Sequence, residues 1–207
     1  MRLLIVDDHT MYRGGVRALL QQHGVGDVDE AARGNDALEM TRKRRYDALI
    51  LDISLPDRDG LDVLKQVKAV QPMLPVLVVS MHAEEQFALR ALKAGAAGYV
   101  TKGASADLFW TAVQKVLSGG TFVTPQLGER LASGLATRAD ADPHERLSDR
   151  EFQVFRSLAA GIPTRDIAAQ LGLSAKTVNA HRMNVLAKLR LRSNAELIRY
   201  AIERELV

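Results

Sequence analysis

The stretch LDISLPDRDG, Leu51–Gly60, closes an apolar run with an acidic residue, Asp52, and follows it with a proline turn. An aspartate at a strand end can simply hydrogen-bond its own loop, so its meaning depends on what else reaches the same place. Working outward, short apolar runs recur at LLIV (3–6), VDEAA (28–32), DALIL (47–51), PVLVVS (75–80) and GYV (98–100). Segments of helical spacing lie between and after them, near 11–22, 35–45, 61–70, 84–94 and 105–118. The alternation reads as repeated βα units. It predicts an α/β fold, a five-stranded doubly wound parallel sheet with helices on both faces.

The helical pattern stops at Ser118-Gly119-Gly120, and residues 121–145 mix Thr, Pro, Gly, Ser, Ala and Asp with weak periodicity. We read them as a linker, with one short helix around 125–136. From Leu147 the pattern is purely helical. S-x-x-E capping boxes stand at Ser148/Glu151 and Ser193/Glu196, and further helix starts at Thr164 and Ser174. The expected organisation is a first domain over 1–120, a linker over 121–145, and a small all-α four-helix domain over 146–207.

The 207 residues are 47% hydrophobic and 26% charged, which is ordinary for two folded domains. There is no cysteine, which excludes disulfides, thiolate metal sites and a cysteine nucleophile. The apolar run at the amino terminus, Leu3 to Val6, is far too short for a signal-peptide core or a membrane span, so we expect a cytoplasmic protein without a membrane partner. Residues 1–120 hold 15 basic and 15 acidic side chains, whereas 146–207 hold 11 and 6. The positive excess therefore sits at the end expected to face a polyanion.

In a doubly wound sheet the ends of the first and third strands are neighbours, which gathers Asp7, Asp8 and Asp52. Three anions in one pocket repel, which raises pKa values or demands a cation, and Mg²⁺ suits a few carboxylates plus water and phosphate. Ser80 ends the fourth strand and Lys102 follows the fifth, at the same edge. Lysine and hydroxyl together make a cradle for phosphoryl oxygens, with Asp52 as the nucleophile. Taken singly, Lys102 is an ordinary solvated lysine and Ser80 a strand-end hydroxyl; their joint placement argues otherwise.

Asp7-Asp8, LDISLPDRDG, VVS and GYVTKG together resemble the receiver domain of two-component response regulators over about the first 120 residues. The resemblance implies a flavodoxin-like fold in which Asp52 accepts phosphate from a sensor histidine kinase. It further implies that Asp7, Asp8 and the Ser54 backbone carbonyl surround Mg²⁺, that Lys102 and Ser80 hold the phosphoryl group, and that Tyr99 turns inward on activation. Leu55 stands where that family most often has Met. His9 and His82 flank the site; neither has the imidazole or thiolate company of a metal ligand, and His82 is expected to touch the phosphoryl group or its attacking water.

GIPTRDIAAQLGLSAKTVNAHRMNVLAKL, residues 161–189, reads as helix, tight turn, helix. Val178, Val185 and Leu189 share one side of the second helix, while Lys176, Ala180, Met183, Asn184 and Ala187 lie opposite, a stripe suited to a major groove. With LSDREFQVF before it, this segment resembles the LuxR-type DNA-binding domain, and the two domains together resemble the NarL/FixJ group of transcription regulators. The resemblance implies base or groove contacts from Lys176, Asn179, Ala180 and Met183. Thr177, His181, Arg182, Lys188 and Arg190 would meet phosphate or support the helix. Asn179 departs from the lysine common there. The last helix, with Ile198, Ala201 and Ile202, would pair two copies on inverted-repeat half-sites of promoter DNA, as a homodimer favoured by phosphorylation.

Overall fold

The computed structural model describes residues 1–81, 84–129, 143–204 and 206. They fall into two compact units, Met1–Gly128 and Glu129–Val207.

The first unit is built on five parallel strands in the order β2-β1-β3-β4-β5: β1 (Arg2–Val6), β2 (Asp27–Ala31), β3 (Ala48–Asp52), β4 (Val76–Ser80) and β5 (Gly98–Thr101). Helices α1 (Thr10–Gln22), α2 (Gly34–Lys43), α3 (Gly60–Val70), α4 (Glu84–Lys93) and α5 (Ala106–Leu117) follow the strands in turn. Every residue of β3 and β4 is buried, because crossover helices cover both sheet faces. On one face Leu3, Ile5, Ile50, Leu77, Val79 and Val100 pack against Val16 and Leu20 of α1 and Phe109, Ala112, Val113 and Val116 of α5. Strand alternation sends Leu4, Leu49, Leu51, Val76 and Val78 to the other face. Full burial of each such aliphatic side chain contributes about 1.5–3 kcal/mol.

His23, just past α1, stacks on Trp110 of α5 with ring centroids 4.1 Å apart and planes inclined by 6°. Beyond α5 the chain stays on this unit for several residues. Phe122 bridges to Gly98, donates its N–H to the Ala97 carbonyl, and is buried, as is Leu127. Residues 125–129 are helical, and the remainder of the helix expected over 125–136 lies outside the described residues.

Among the described residues, the second unit comprises a 3₁₀ turn (Pro143–Arg146) and four helices, α6 (Asp149–Ala159), α7 (Thr164–Leu171), α8 (Ala175–Leu189) and α9 (Asn194–Glu203). Phe152, Phe155, Leu158, Ile167, Val178, Val185, Leu189, Leu197 and Ala201 form its core. Gly172 takes φ 62° at the end of α7, a left-handed turn that glycine adopts without a Cβ penalty. Ser148 and Glu151 make the expected reciprocal capping box on α6. At α9 only half of the second box forms: the Ser193 Oγ accepts from Glu196 N–H, but the Glu196 carboxylate reaches one residue further back, to the Arg192 N–H at 2.7 Å. Ser193 is strongly extended there (φ −150°), and the acceptor takes the preceding donor instead of the box donor.

Glu151 also braces two helices. Its Oε2 accepts from the Ser148 N–H at 2.8 Å and from Lys188 Nζ of α8 at 2.6 Å while the residue is 5% exposed. Burial alone would raise its carboxyl pKa, but Lys188 and Ser148 outweigh burial and hold it below the usual range. Glu151→Gln should lower unfolding stability by about 1–3 kcal/mol in urea melts near neutral pH. The depressed pKa makes the carboxylate stabilising above the unfolded-state pKa of about 4.3. The deficit should therefore close as pH falls through the lower folded value.

Candidate functional site

The carboxyl edge of the sheet assembles the acidic pocket from strand ends. β1 and β3 are paired in register, Val6 beside Leu51, so the residues after them converge. Asp7 and Asp52 are 0% and 1% exposed, while Asp8 faces outward at the rim. Lys102, immediately after β5, donates its N–H to the Ser80 carbonyl at 2.7 Å. Its side chain then spans the sheet edge, placing Nζ 2.7 Å from both Asp52 Oδ2 and Asp7 Oδ2. The contact to Asp52 is a hydrogen bond; Asp7 Oδ2 is buried at ion-pair distance without an aligned donor. Asp52 Oδ1 accepts the Ser54 N–H at 3.1 Å, and Asp7 Oδ1 accepts the His9 N–H at 2.8 Å.

Burial pushes the Asp52 carboxyl above its ordinary range, with the Lys102 hydrogen bond and the Ser54 N–H pulling only part of the way back. Burial acts on Lys102 in the opposite sense, but the two carboxylates prevail and raise its pKa. The ammonium also lies 4.9 Å above the Tyr12 ring. Burial, with the charges of Asp7 and Asp52, drives the Tyr12 phenol far above its usual value. The neutral Tyr12 ring thus presents its π face to the Lys102 ammonium, a favourable cation–π contact.

Of the residues singled out in the sequence, Asp7, Asp8, Asp52 and Lys102 come together directly. Ser54 lies two residues beyond Asp52, Ser80 is fully buried at the end of β4, and Tyr99 is fully buried in β5. His82 lies outside the described residues. His9, expected to flank the site without serving as a metal ligand, does flank it: donor atoms of Asp7, Asp8, His9 and Asp52 all lie within 4.8 Å of one another.

The loop after Asp52 carries roles that its residue types alone do not reveal. Asp57 caps α2 from a distance, its two oxygens accepting the Gly34 and Asn35 N–H groups at 2.8 and 3.0 Å. Asp59 caps α3 through the Leu61 N–H at 2.8 Å. Gly60 lets α3 approach the acceptor strand, since a Cβ there would sit 2.3 Å from the Asp52 carbonyl oxygen and 2.5 Å from Ile53 Cα. The helical segment near 61–70 was legible in the sequence; the closeness of Gly60 to Asp52 was not.

On α8, Lys176, Asn179, Ala180, Met183, Asn184 and Ala187 are exposed together. Three residues considered for phosphate contact have partners inside the domain. The Thr177 hydroxyl pairs with Ser174 at 2.8 Å, Arg182 Nε donates to Asn194 Oδ1 at 2.7 Å, and Lys188 serves Glu151. His181 is half-buried, and Arg190 ends α8 in the left-handed region at φ 57°. On α9, Ile202 is 63% exposed and Ile198 half-buried, but Ala201 is 0% exposed. Ala201 is thereby corrected from a pairing residue to a core residue, because it shares the inward face with Leu197 one turn earlier.

Residues 3–114 match the response regulator receiver domain family, and residues 145–201 the bacterial regulatory proteins of the luxR family. The response regulator GacA of Pseudomonas aeruginosa is 33% identical across all of this chain and 98% of its own length. UvrY of Escherichia coli K12 is 31% identical across 98% of this chain and 94% of its own. Among solved structures, RcsB from Salmonella enterica serovar Typhimurium, bound to promoter P1flhDC with the phosphomimetic BeF₃⁻, superposes with a TM-score of 0.77. The identity is 25%, and the match covers 97% of each chain. A parallel βα sheet carrying an acidic edge, joined to a four-helix helix-turn-helix unit, defines a two-domain transcription regulator. The chain belongs to the response regulators of the NarL/FixJ group, with a receiver domain and a LuxR-type DNA-binding domain.

Gly60→Ala should cost about 1–3 kcal/mol in denaturant melts, because the obstructing atoms are backbone and only displacement of α3 or Asp52 relieves the overlap. Asp57→Ala, which removes only a remote cap, should cost about 1 kcal/mol and leave Asp52 in place.

Proposed function

We propose that this protein is switched by Mg²⁺-dependent phosphorylation of Asp52 by a sensor histidine kinase, and that the phosphorylated form dimerises and binds promoter DNA. The observation that carries the reading is the Lys102 ammonium held 2.7 Å from both Asp7 and Asp52, beside an outward-facing Asp8. The donor set fits the ion: three carboxylates are hard oxygen ligands, and the donor atoms already lie within 4.8 Å of one another. Asp8, Asp52 and the Ser54 carbonyl would hold Mg²⁺, with Asp7 beside them. When bound, Mg²⁺ supplies charge neutralisation for incoming phosphoryl oxygens.

An Asp52 oxygen attacks phosphorus, the bond from phosphorus to the kinase imidazole breaks, and an acyl phosphate remains. Lys102 offsets part of the effect of burial on the Asp52 carboxyl and then pairs with the added phosphoryl charge. Ser80 offers its hydroxyl to a phosphoryl oxygen. Tyr99, buried in the neighbouring strand, follows Ser80, so the receiver shifts between two states. A phosphohydrolase of the haloacid-dehalogenase kind also uses an Asp nucleophile with Mg²⁺, but Ser54 stands where its second carboxylate is needed.

In the second domain the exposed stripe of Lys176, Asn179, Ala180 and Met183 enters the major groove. Arg190 and His181 are left as the candidates for phosphate contact, while Thr177, Arg182 and Lys188 have partners within the domain. Ile202 and Ile198 offer an apolar contact for a second copy, matching inverted half-sites. Residues 1–120 act as the receiver and 146–207 as the DNA-binding domain, with 121–145 between them.

Intact-protein mass with acetyl phosphate and Mg²⁺ should show a phosphoryl adduct on the wild type and none on Asp52→Asn, with a shift to dimer on gel filtration. An adduct that persists on Asp52→Asn, or a wild type that takes no phosphate from acetyl phosphate or a panel of histidine kinases, overturns this mechanism. Promoter affinity should fall by about a thousandfold or more between about 50 and 200 mM salt if six or more phosphates are contacted. Lys176→Ala should reduce that salt slope if Lys176 meets a phosphate, and alter base preference if it meets a base edge.

A further inference from the structure

Tyr12 has no part in the mechanism above, yet its ring lies against the lysine on which that mechanism turns. It stands in the first turn of α1, half-buried beside the core that α1 and α5 share. An aromatic in such a place is usually only packing. Two observations point further. The Lys102 ammonium lies over the ring face, 4.9 Å from its centroid, and the lysine side chain is only 4% exposed, so the contact is made almost out of water. The ring is also fixed from the next residue along the chain. Arg13 donates from a terminal guanidinium nitrogen to the Asp7 carbonyl at 2.5 Å and from Nε to Glu30 Oε2 at 3.1 Å, which ties the first turn of α1 to β1 and β2 through bonds that do not involve Lys102.

At rest, Nζ is held 2.7 Å from Asp52 Oδ2 and from Asp7 Oδ2, contacts to single fixed oxygens. Phosphoryl transfer takes the charge from the Asp52 carboxylate and places it on the phosphoryl oxygens. Lys102 must then loosen its bond to Asp52 before its new contacts are complete. A ring face attracts a cation through its quadrupole and needs no N–H aimed at one atom. It therefore keeps its hold while the hydrogen bonds change hands, and so stabilises the transition state more than the resting state. We infer that Tyr12 is a positioning residue for phosphoryl transfer: its ring face keeps the Lys102 ammonium in the pocket as that group passes from Asp52 to the phosphoryl oxygens. The inference rests on the reading of Asp52 as the phosphoacceptor. In the step itself an Asp52 oxygen forms the bond to phosphorus, the bond to the leaving group breaks, and its electron pair departs with that group. Tyr12 and Lys102 keep their protons throughout.

The rate of adduct formation on the full chain, followed by intact-protein mass at fixed acetyl phosphate and Mg²⁺, tests the inference. Tyr12→Leu, which keeps an apolar side chain but removes the face, should slow the reaction by about tenfold. Tyr12→Phe keeps the face and should stay within about twofold of the wild type. The deciding comparison is Tyr12→Phe against trifluorophenylalanine at the same position. Fluorination nearly preserves the shape of the ring and withdraws the negative potential from its face, so the rate should fall by about threefold or more, a change that a purely packing role would not produce. Urea melts establish that the two aromatic variants are equally folded, so this pair carries the test even if Tyr12→Leu does not fold. Equal rates for the two aromatic variants overturn the inference, as does a Tyr12→Phe as slow as Tyr12→Leu, which would assign the effect to the hydroxyl. A wild type that takes no phosphate under any of these conditions overturns the reading of Asp52 and the inference with it, whereas a phosphorylated wild type with no response to fluorination overturns the role of Tyr12 alone.

Discussion

One ammonium group shared by two buried carboxylates organises the receiver half. Lys102 arrives from the end of β5, and Asp7 and Asp52 from the ends of β1 and β3, so the triad ties an edge strand to the middle of the sheet. Removing one member of such a buried set generally costs about 3–5 kcal/mol, because the survivors keep uncompensated charge. The set is also unbalanced: one positive charge faces two carboxylates, with Asp8 at the rim. That surplus of negative charge makes the edge compatible with a divalent cation.

The loop after Asp52 shows how tightly this edge is tied to the helices around it. Three aspartates within eight residues do three different things. Asp52 meets Lys102, Asp57 caps α2 across space, and Asp59 caps α3 locally. Gly60 then allows α3 to begin directly against the Asp52 backbone, with its N–H donating to the Ile53 carbonyl at 2.8 Å. The start of α3 therefore lies directly against the backbone of the proposed phosphoacceptor, while α2 is tied to the same loop through the Asp57 carboxylate.

In the second unit, the same economy of charge appears as a brace. Glu151 is at once a helix cap on α6 and the partner of Lys188 on α8, so the helix carrying the exposed stripe is fixed to the first helix of its own domain. Arg182 does the corresponding work toward α9 through Asn194. Basic residues on one helix thus divide between those that hold it and those that face outward, a division invisible in net charge.

The five strands and the helices between them were legible in the sequence because their periods differ, near two for the sheet and 3.6 for the helices, and because Ser, Thr and Gly mark their ends. The convergence of Asp7, Asp52 and Lys102 was legible too, since strand ends in a parallel doubly wound sheet share one edge. Other features waited for three dimensions. The remote cap by Asp57, the Tyr12 ring under Lys102 and the orientation of His9 join residues from separate elements. The commitment of Lys188 to Glu151 spans 37 positions, and the inward turn of Ala201 beside an outward Ile202 depends on which neighbours occupy the core. Periodicity and local capping are properties of a few consecutive residues, so the sequence determines them alone. Which charges meet, and which side of a helix is covered, are set by packing between distant segments, and only the tertiary structure decides them.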